Sequence, residues 1–181
     1  VGPVRKLQKK YKSLILFKNI FGRGLINAVK TGIIQSKGEA VVVMPADLAD
    51  TPKTINHMYQ KINDGYDIVC ATRYARGGAK MGGGILKTAL SRIAGLLTPL
   101  LLGIPTSDIS NGFKMYRRHV LEKIKIESTG GWEFSVELVI KANNLGFTVC
   151  DVPTIWRDRV GGESKFKLLK WLPKYLTWYL Y

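Results

Sequence analysis

The chain has 181 residues, 46% of them hydrophobic, which is enough for one domain with a real core. It carries 28 Lys+Arg against 13 Asp+Glu, a formal net charge of +15, which favours anionic partners such as nucleic acid, anionic lipid or a phosphorylated substrate. Its two cysteines, Cys70 and Cys150, each lie in an apolar strand-like run and read as free buried thiols, not as a disulfide or a metal site.

The first stretch, Val1–Lys12, is basic and reads as a solvated helix face or a phosphate-binding arm. Ser13–Phe17 reads as a short buried strand. Gly22-Arg23-Gly24 follows, either an ordinary turn or a close approach to a phosphate. Leu25–Ser36 has helical spacing at Leu25, Ala28, Val29 and Ile33, and Gly38 closes it.

Val41–Val43 is a β-branched run that ends in Met44-Pro45-Ala46-Asp47-Leu48-Ala49-Asp50. A strand buried on both faces is expected, and ligands of open α/β sheets bind just past a strand's carboxyl end. Two aspartates there can hold a hard divalent cation, and the cation a diphosphate. Alternatively they cap the helix that starts near Pro52, and Asp50 can do so while Asp47 binds. That helix runs to Asn63, with Ile55, Met58, Tyr59 and Ile62 on one face and His57 off it. Asp67–Ala71 is a third strand, and the βαβαβ order argues a parallel sheet.

Thr72–Gly84 holds three cations, Arg73, Arg76 and Lys80, and five glycines; it reads as a mobile loop that closes over phosphate. Ile85–Leu102 is an apolar helix interrupted at Pro99, either a core helix or a groove wall or membrane-contacting face, with its apolar run too short to span a bilayer. Asp108, in Thr106-Ser107-Asp108, is a turn residue or faces a cleft, and Ile109–Tyr116 is extended.

Glu133 and Glu137 share a face of the next helix, which suggests a nearby cation or a functional use unless the face is simply exposed. Phe147–Trp156 is a bent strand or strand pair, with Pro153 at an edge or bulge. Arg157–Lys165 is a second polar, glycine-broken cluster. The last stretch, Phe166–Tyr181, mixes Trp, Tyr and Leu with lysines, the composition of a membrane interface, and Pro173 argues against one uninterrupted helix. With no secretory signal at its start and no run of about 20 apolar residues, the chain reads as a cytoplasmic domain that touches a membrane. Its cations cluster in glycine loops beside carboxylates, not in a stripe with stacking aromatics, so nucleic acid is not an expected partner.

These segments, in this order, resemble the family 2 glycosyltransferases of the GT-A fold, most closely the dolichol-phosphate mannosyltransferase-like (polyprenyl-phosphate) branch. The resemblance is carried by Gly22-Arg23-Gly24, Ala46-Asp47-Leu48 with Asp50 and Pro52, Thr72-Arg73-Tyr74 with Gly77-Gly78, and Ser91-Arg92. Further on it rests on Asp108 with Asn111-Gly112-Phe113, on Glu133-Phe134 with Glu137, and on Arg159-Val160-Gly161-Gly162-Glu163-Ser164-Lys165. It covers about residues 14 to 168.

The resemblance implies an α/β, mostly parallel sheet flanked by helices, with a catalytic domain over 1–164 and a membrane-interface segment over 165–181. It implies an inverting transfer of a sugar from a nucleotide-diphosphate sugar to a polyprenyl phosphate at the cytoplasmic membrane face. Asp47 and Asp50 would hold Mg2+ or Mn2+; Arg159, Ser164 and Lys165 would hold the donor diphosphate; Arg73 and Arg92 would hold the acceptor phosphate. For a hydroxyl acceptor, Asp108 would be the base.

Two departures stand out. Pro45 occupies the first position of the usual Asp-x-Asp motif and cannot ligate through its side chain. The family's opening strands, with Pro-x-x-Asn-Glu and paired aspartates, are not in this sequence, so residues 1–181 alone are expected to be inactive.

Overall fold

The computed structural model describes residues 2–158 and 168–181. The elements are α1 (Gly2–Lys10), α2 (Leu25–Gln35), β1 (Ala40–Val43), α3 (Thr54–Asn63), β2 (Ile68–Thr72), β3 (Ala79–Met81), α4 (Ile85–Leu102), β4 (Lys114–Arg117), α5 (Arg118–Lys123), α6 (Phe134–Asn144), β5 (Val149–Pro153), β6 (Ile155–Arg157) and α7 (Leu168–Tyr179).

The main sheet has the order β1-β4-β2-β5. β2 and β5 are parallel, Ile68 opposite Val149 and Thr72 opposite Pro153. β4 enters antiparallel between β1 and β2, with Tyr116 opposite both Val41 and Ile68. Three strands therefore run one way and one against them. The βαβαβ reading anticipated the common direction but not the intruder, which arrives from beyond α4. Pro153 ends the edge strand β5, where a missing N–H costs no ladder bond.

Every residue of β2 is buried. Its side chains alternate between two cores, as a period of two requires. Ile68 and Cys70 join Tyr116, Phe134, Leu138 and Trp178 on one face. Val69 and Ala71 join Met58, Ile62, Phe113 and Met115 on the other, under α3. The two cysteines are free, and burial pushes the Cys70 thiol up to about 12 and Cys150 to about 11. Both thiols thus stay protonated at neutral pH.

Several expectations are corrected. Ser13–Phe17 is not a strand: Ile15 is 63% exposed, and among the described residues no strand pairs with it. The Thr72–Gly84 segment contains β3, which pairs in parallel with β6 through Ala79–Ile155, Lys80–Trp156 and Met81–Arg157. Pro99 and Pro173 interrupt neither helix; both lie inside α4 and α7. Pro99 lies in the final turn of α4, before Gly103 ends the helix at φ 64°. The turn is secured by Thr98 Oγ1, which donates to Ala94 O at 2.7 Å and bonds Tyr179 Oη at 2.8 Å.

Glu133 and Glu137 are buried, not on an exposed face. The carboxylate of Glu133 accepts from the Gly130 and Gly131 N–H groups at 2.7 and 2.6 Å. That of Glu137 accepts from Glu127 N, Ser128 N and Lys141 Nζ at 2.6, 2.8 and 2.7 Å. The expected cation is Lys141, and the pair's work is to staple the 127–131 loop to α6. Lys141 Nζ also lies 4.9 Å from the Trp178 ring centroid, tying α7 to α6.

α4 is 18 residues long with a mean hydropathy of 1.5, and 11% of it is buried. By length and composition it is apolar enough to cross a membrane, which the apolar run in the sequence did not suggest. Ile85, Leu96, Leu100 and Leu101 are 90%, 75%, 77% and 63% exposed. α7 buries Trp178 and packs Tyr175 and Tyr179 on the core, while Leu176 within it and Leu180 just past its end are exposed.

Candidate active site

Residues just past β2 and β6 and in the loop before β4 line one cavity, and the loop after β1 packs against β6. Arg73, just past β2, forms the centre of the site. Its Nε donates to Asp108 Oδ2 at 2.6 Å and its Nη2 to Asp108 Oδ1 at 2.7 Å, while its backbone N–H adds a third bond at 3.1 Å. This two-pronged geometry is the strong form of a charged pair, and Asp108 is fully buried. Both Asp108 oxygens are thus committed to Arg73. In this arrangement the carboxylate is the partner of the guanidinium.

The loop that carries Asp108 is itself fixed. Asp151 Oδ1 accepts from Thr106 Oγ1, and Oδ2 accepts from Ser107 N and Oγ, all at 2.7 Å. Ser107 Oγ bonds Thr72 Oγ1 at 2.7 Å, linking the loop to the end of β2. Asn111 donates to Ala71 O at 2.9 Å. Lys114 is fully buried and donates to Ile109 O at 2.8 Å and to Asn111 O, while burial pushes its pKa down. From the other side α4 rests on the loop at Gly95, where an added Cβ would lie 1.9 Å from Ser107 O. Gly112 likewise admits the Trp132 indole, 2.4 Å from where a Cβ would stand.

Asp47 and Asp50 occupy different settings. Asp47 is exposed, and its Oδ1 accepts from Ala49 N at 3.2 Å; Leu48 between them takes φ 60°. Asp50 is 3% exposed and its Oδ1 is buried with no hydrogen-bond partner among the described residues. Burial raises its pKa to about 6, against the opposing pull of Arg73. The loop is stitched to β6 by a bridge between Asp50 and Trp156, by Arg157 N donating to Ala49 O at 2.9 Å, and by Thr51 Oγ1 donating to Ile155 O at 2.9 Å. The expected helix cap is not made: Lys53 precedes α3 and no side chain caps it.

Among the described residues no three His, Cys, Asp or Glu side chains gather as a metal site. Among the described residues the assigned donor set is two hard carboxylates, one with a buried oxygen that has no hydrogen-bond partner among them. That fits a Mg2+-type ion, which is bound by one or two carboxylates and completes its shell with water and substrate phosphate.

Arg92, on α4, is exposed and approaches Tyr74 from α4. The Tyr74 ring centroid lies 5.3 Å from the Arg73 guanidinium carbon and 5.2 Å from that of Arg92, and its hydroxyl bonds Ser91 Oγ. One aromatic ring thus holds the two expected acceptor cations near each other. The expected donor residues Arg159, Ser164 and Lys165 lie outside the described residues.

Beside this cluster opens a cavity of about 800 Å³ between α4, α6 and α7. Arg73, Lys80, Lys87 and Asp158 are its charged lining residues, and Leu86, Leu90 and Leu176 are among its apolar ones. Asp47, Asp50 and Arg92 do not line it. The sequence reading did not single out Asp151 or Gly95, and it gave Lys114 no role of its own beside Asn111-Gly112-Phe113. Asp151 was detectable as a lone charge inside an apolar strand; Gly95 had no signal, because its role is a close approach between distant backbones.

The glycosyl transferase family 2 profile matches residues 1–125. The chain is 32% identical over 148 residues to polyprenol monophosphomannose synthase of Mycolicibacterium smegmatis, covering 75% of this chain and 56% of that protein. It is 28% identical over 167 residues to dolichol-phosphate mannosyltransferase of Pyrococcus furiosus, covering 90% and 46%. The chain therefore spans about half the length of the curated relatives it matches. Among solved structures it is similar to glucosyl-3-phosphoglycerate synthase from Mycobacterium tuberculosis in complex with Mn2+, UDP-glucose and phosphoglyceric acid, at TM-score 0.63 and 18% identity, over 88% of this chain and 55% of that one. At that identity the likeness carries the GT-A fold alone. By its profile match over more than half its length, and by the relatives it resembles, the chain belongs to glycosyl transferase family 2.

Proposed function

We propose that this chain is part of an inverting glycosyltransferase that moves a sugar from a nucleotide-diphosphate sugar to a polyprenyl phosphate at the cytoplasmic face of a membrane. The observation that carries the reading is the cavity: its lining joins Arg73, Lys80 and Lys87 to a run of apolar side chains, beside the buried Arg73–Asp108 pair. Such a lining suits a phosphate with a hydrocarbon tail. The names of the two curated relatives agree with it.

In the reaction an oxygen of the acceptor phosphate attacks the anomeric carbon. The bond from that carbon to the diphosphate oxygen breaks, its electron pair stays with the nucleoside diphosphate, and the configuration inverts. The acceptor phosphate is already anionic at neutral pH, so no general base is required. Arg73 and Arg92 hold it, with Asp108 fixing the first guanidinium and Tyr74 the second. A divalent cation held by Asp47 and Asp50 would neutralise charge on the leaving diphosphate. Arg159, Ser164 and Lys165 are proposed to act on the same diphosphate. The exposed leucines of α4, with Leu176 of α7 and Leu180 just past its end, are proposed to rest on the lipid surface, where the basic chain meets an anionic leaflet.

The test uses membranes containing the complete gene product, a panel of labelled nucleotide sugars beginning with mannose, and polyprenyl phosphate, with and without chelator. Chelator-sensitive label in the lipid phase is expected. Transfer to a soluble glycan with none to lipid would overturn the acceptor assignment.

A further inference from the structure

Lys80 is a cation that the assignments above leave without a task. It sits in β3 opposite Trp156. Its Nζ donates to Thr88 Oγ1 at 2.6 Å and lies 5.6 Å from the Trp156 ring centroid. Gly83 packs against both neighbours: an added Cβ would lie 3.0 Å from the Trp156 ring and 3.2 Å from Lys80 Cε. The side chain is therefore held in place, unlike a surface lysine that samples solvent. Its hydrogen-bond partner among the described residues is a neutral hydroxyl, whereas Arg73 is matched by Asp108. Burial and then the Arg73 charge push its pKa down, against the opposing pull of Asp108 and Asp158.

We infer that Lys80 binds the phosphate of the lipid acceptor, as a third cation beside Arg73 and Arg92. The inference rests on the polyprenyl phosphate reading above. Phosphate oxygens also belong to the donor. The acceptor is favoured because Lys80 lines the cavity whose walls are Leu86, Leu90 and Leu176, while the carboxylates assigned to the donor side do not.

The experiment measures binding of farnesyl phosphate and of farnesol to the purified complete gene product, alongside turnover with polyprenyl phosphate. Lys80→Ala is expected to weaken farnesyl phosphate about tenfold, the loss of one charge-assisted bond. Farnesol, without the phosphate, binds as before. Lys80→Arg retains most of the affinity, and Thr88→Val, which frees the ammonium but keeps its charge, gives an intermediate loss. In turnover the acceptor KM rises while the donor KM stays within about twofold. Unchanged thermal unfolding of Lys80→Ala excludes a folding defect.

Equal farnesyl phosphate binding by Lys80→Ala and wild type overturns the inference. So does a rise in donor KM with acceptor KM unmoved, which would assign Lys80 to the leaving diphosphate. If the wild type transfers sugar to polyprenyl phosphate and the variant does so equally, Lys80 alone is wrong. If the wild type neither transfers nor binds farnesyl phosphate, the acceptor reading fails and Lys80 falls with it.

Discussion

Replacing Asp108 by Asn tests the centre of the site. The amide keeps the shape of the carboxylate but removes its charge and one of its two acceptors. Asp108 is 0% and Arg73 11% exposed, so the guanidinium would remain largely out of water with half its partner. Breaking a buried pair from one side costs about 3–5 kcal/mol. Because the amide retains one bond, the lower figure applies, and for a protein of this size it lowers the melting temperature by about 6–12 °C. Circular dichroism melts of wild type and Asp108→Asn at one pH and salt concentration measure it. An Arg73→Met variant closes the cycle. If the pair acts as a unit, the double variant costs little more than either single, a coupling of about 2 kcal/mol or more. A shift under about 3 °C, or additive single effects, would refute the claim that the two side chains form one buried unit.

Four further outcomes are expected. Gly95→Ala forces a methyl into the Ser107 carbonyl and should destabilise by about 2 kcal/mol or more while raising the acceptor KM, read by thermal melts and initial rates. Tyr74→Phe keeps the ring between the two arginines and stays within about threefold of wild-type acceptor KM, whereas Tyr74→Leu raises it about tenfold. Asp50, with its folded pKa raised to about 6 from 3.8, binds its proton more tightly folded than unfolded. Its proton therefore stabilises the fold below pH 3.8, and this is lost as pH rises through 6, by about 3 kcal/mol in chelator. Denaturant titrations from pH 4 to 7 should show that loss in wild type and not in Asp50→Asn; parallel curves would contradict it. Glu137→Gln leaves Lys141 poorly compensated and should lower stability by about 2 kcal/mol with acceptor KM unchanged, since neither Glu137 nor Lys141 lines the cavity.

Much of the fold was legible because its strands and helices carry strong periods. The β-branched run at Val41–Val43, the face of Ile55, Met58 and Ile62, and the all-apolar Ile68–Ala71 became β1, α3 and β2. What failed is what depends on neighbours distant in sequence. Ser13–Phe17 has strand composition, but a strand needs a partner, and none pairs with it among the described residues. Local propensity cannot reveal that β4 reverses direction between two parallel strands. In the site, Arg73, Asp108 and Asp50 were readable as charges at strand ends and turns. Their relation was not, since the Arg73–Asp108 pair joins residues 35 apart in sequence. Buried carboxylates such as Glu133 and Glu137 look like a functional pair in sequence, and only their backbone N–H partners reveal a loop clamp.

The contact of Gly95 with the Ser107 carbonyl sets main chain against main chain. Side chains absorb small displacements by changing rotamer, but two backbones in contact have no such slack. Rotation or sliding of α4 is therefore transmitted directly to the turn that carries Asp108, and through it to Arg73. The placement of α4 and that of the acid–arginine pair are thereby coupled. A force on the outer surface of α4 would be felt at the Arg73 guanidinium as a change in its aim.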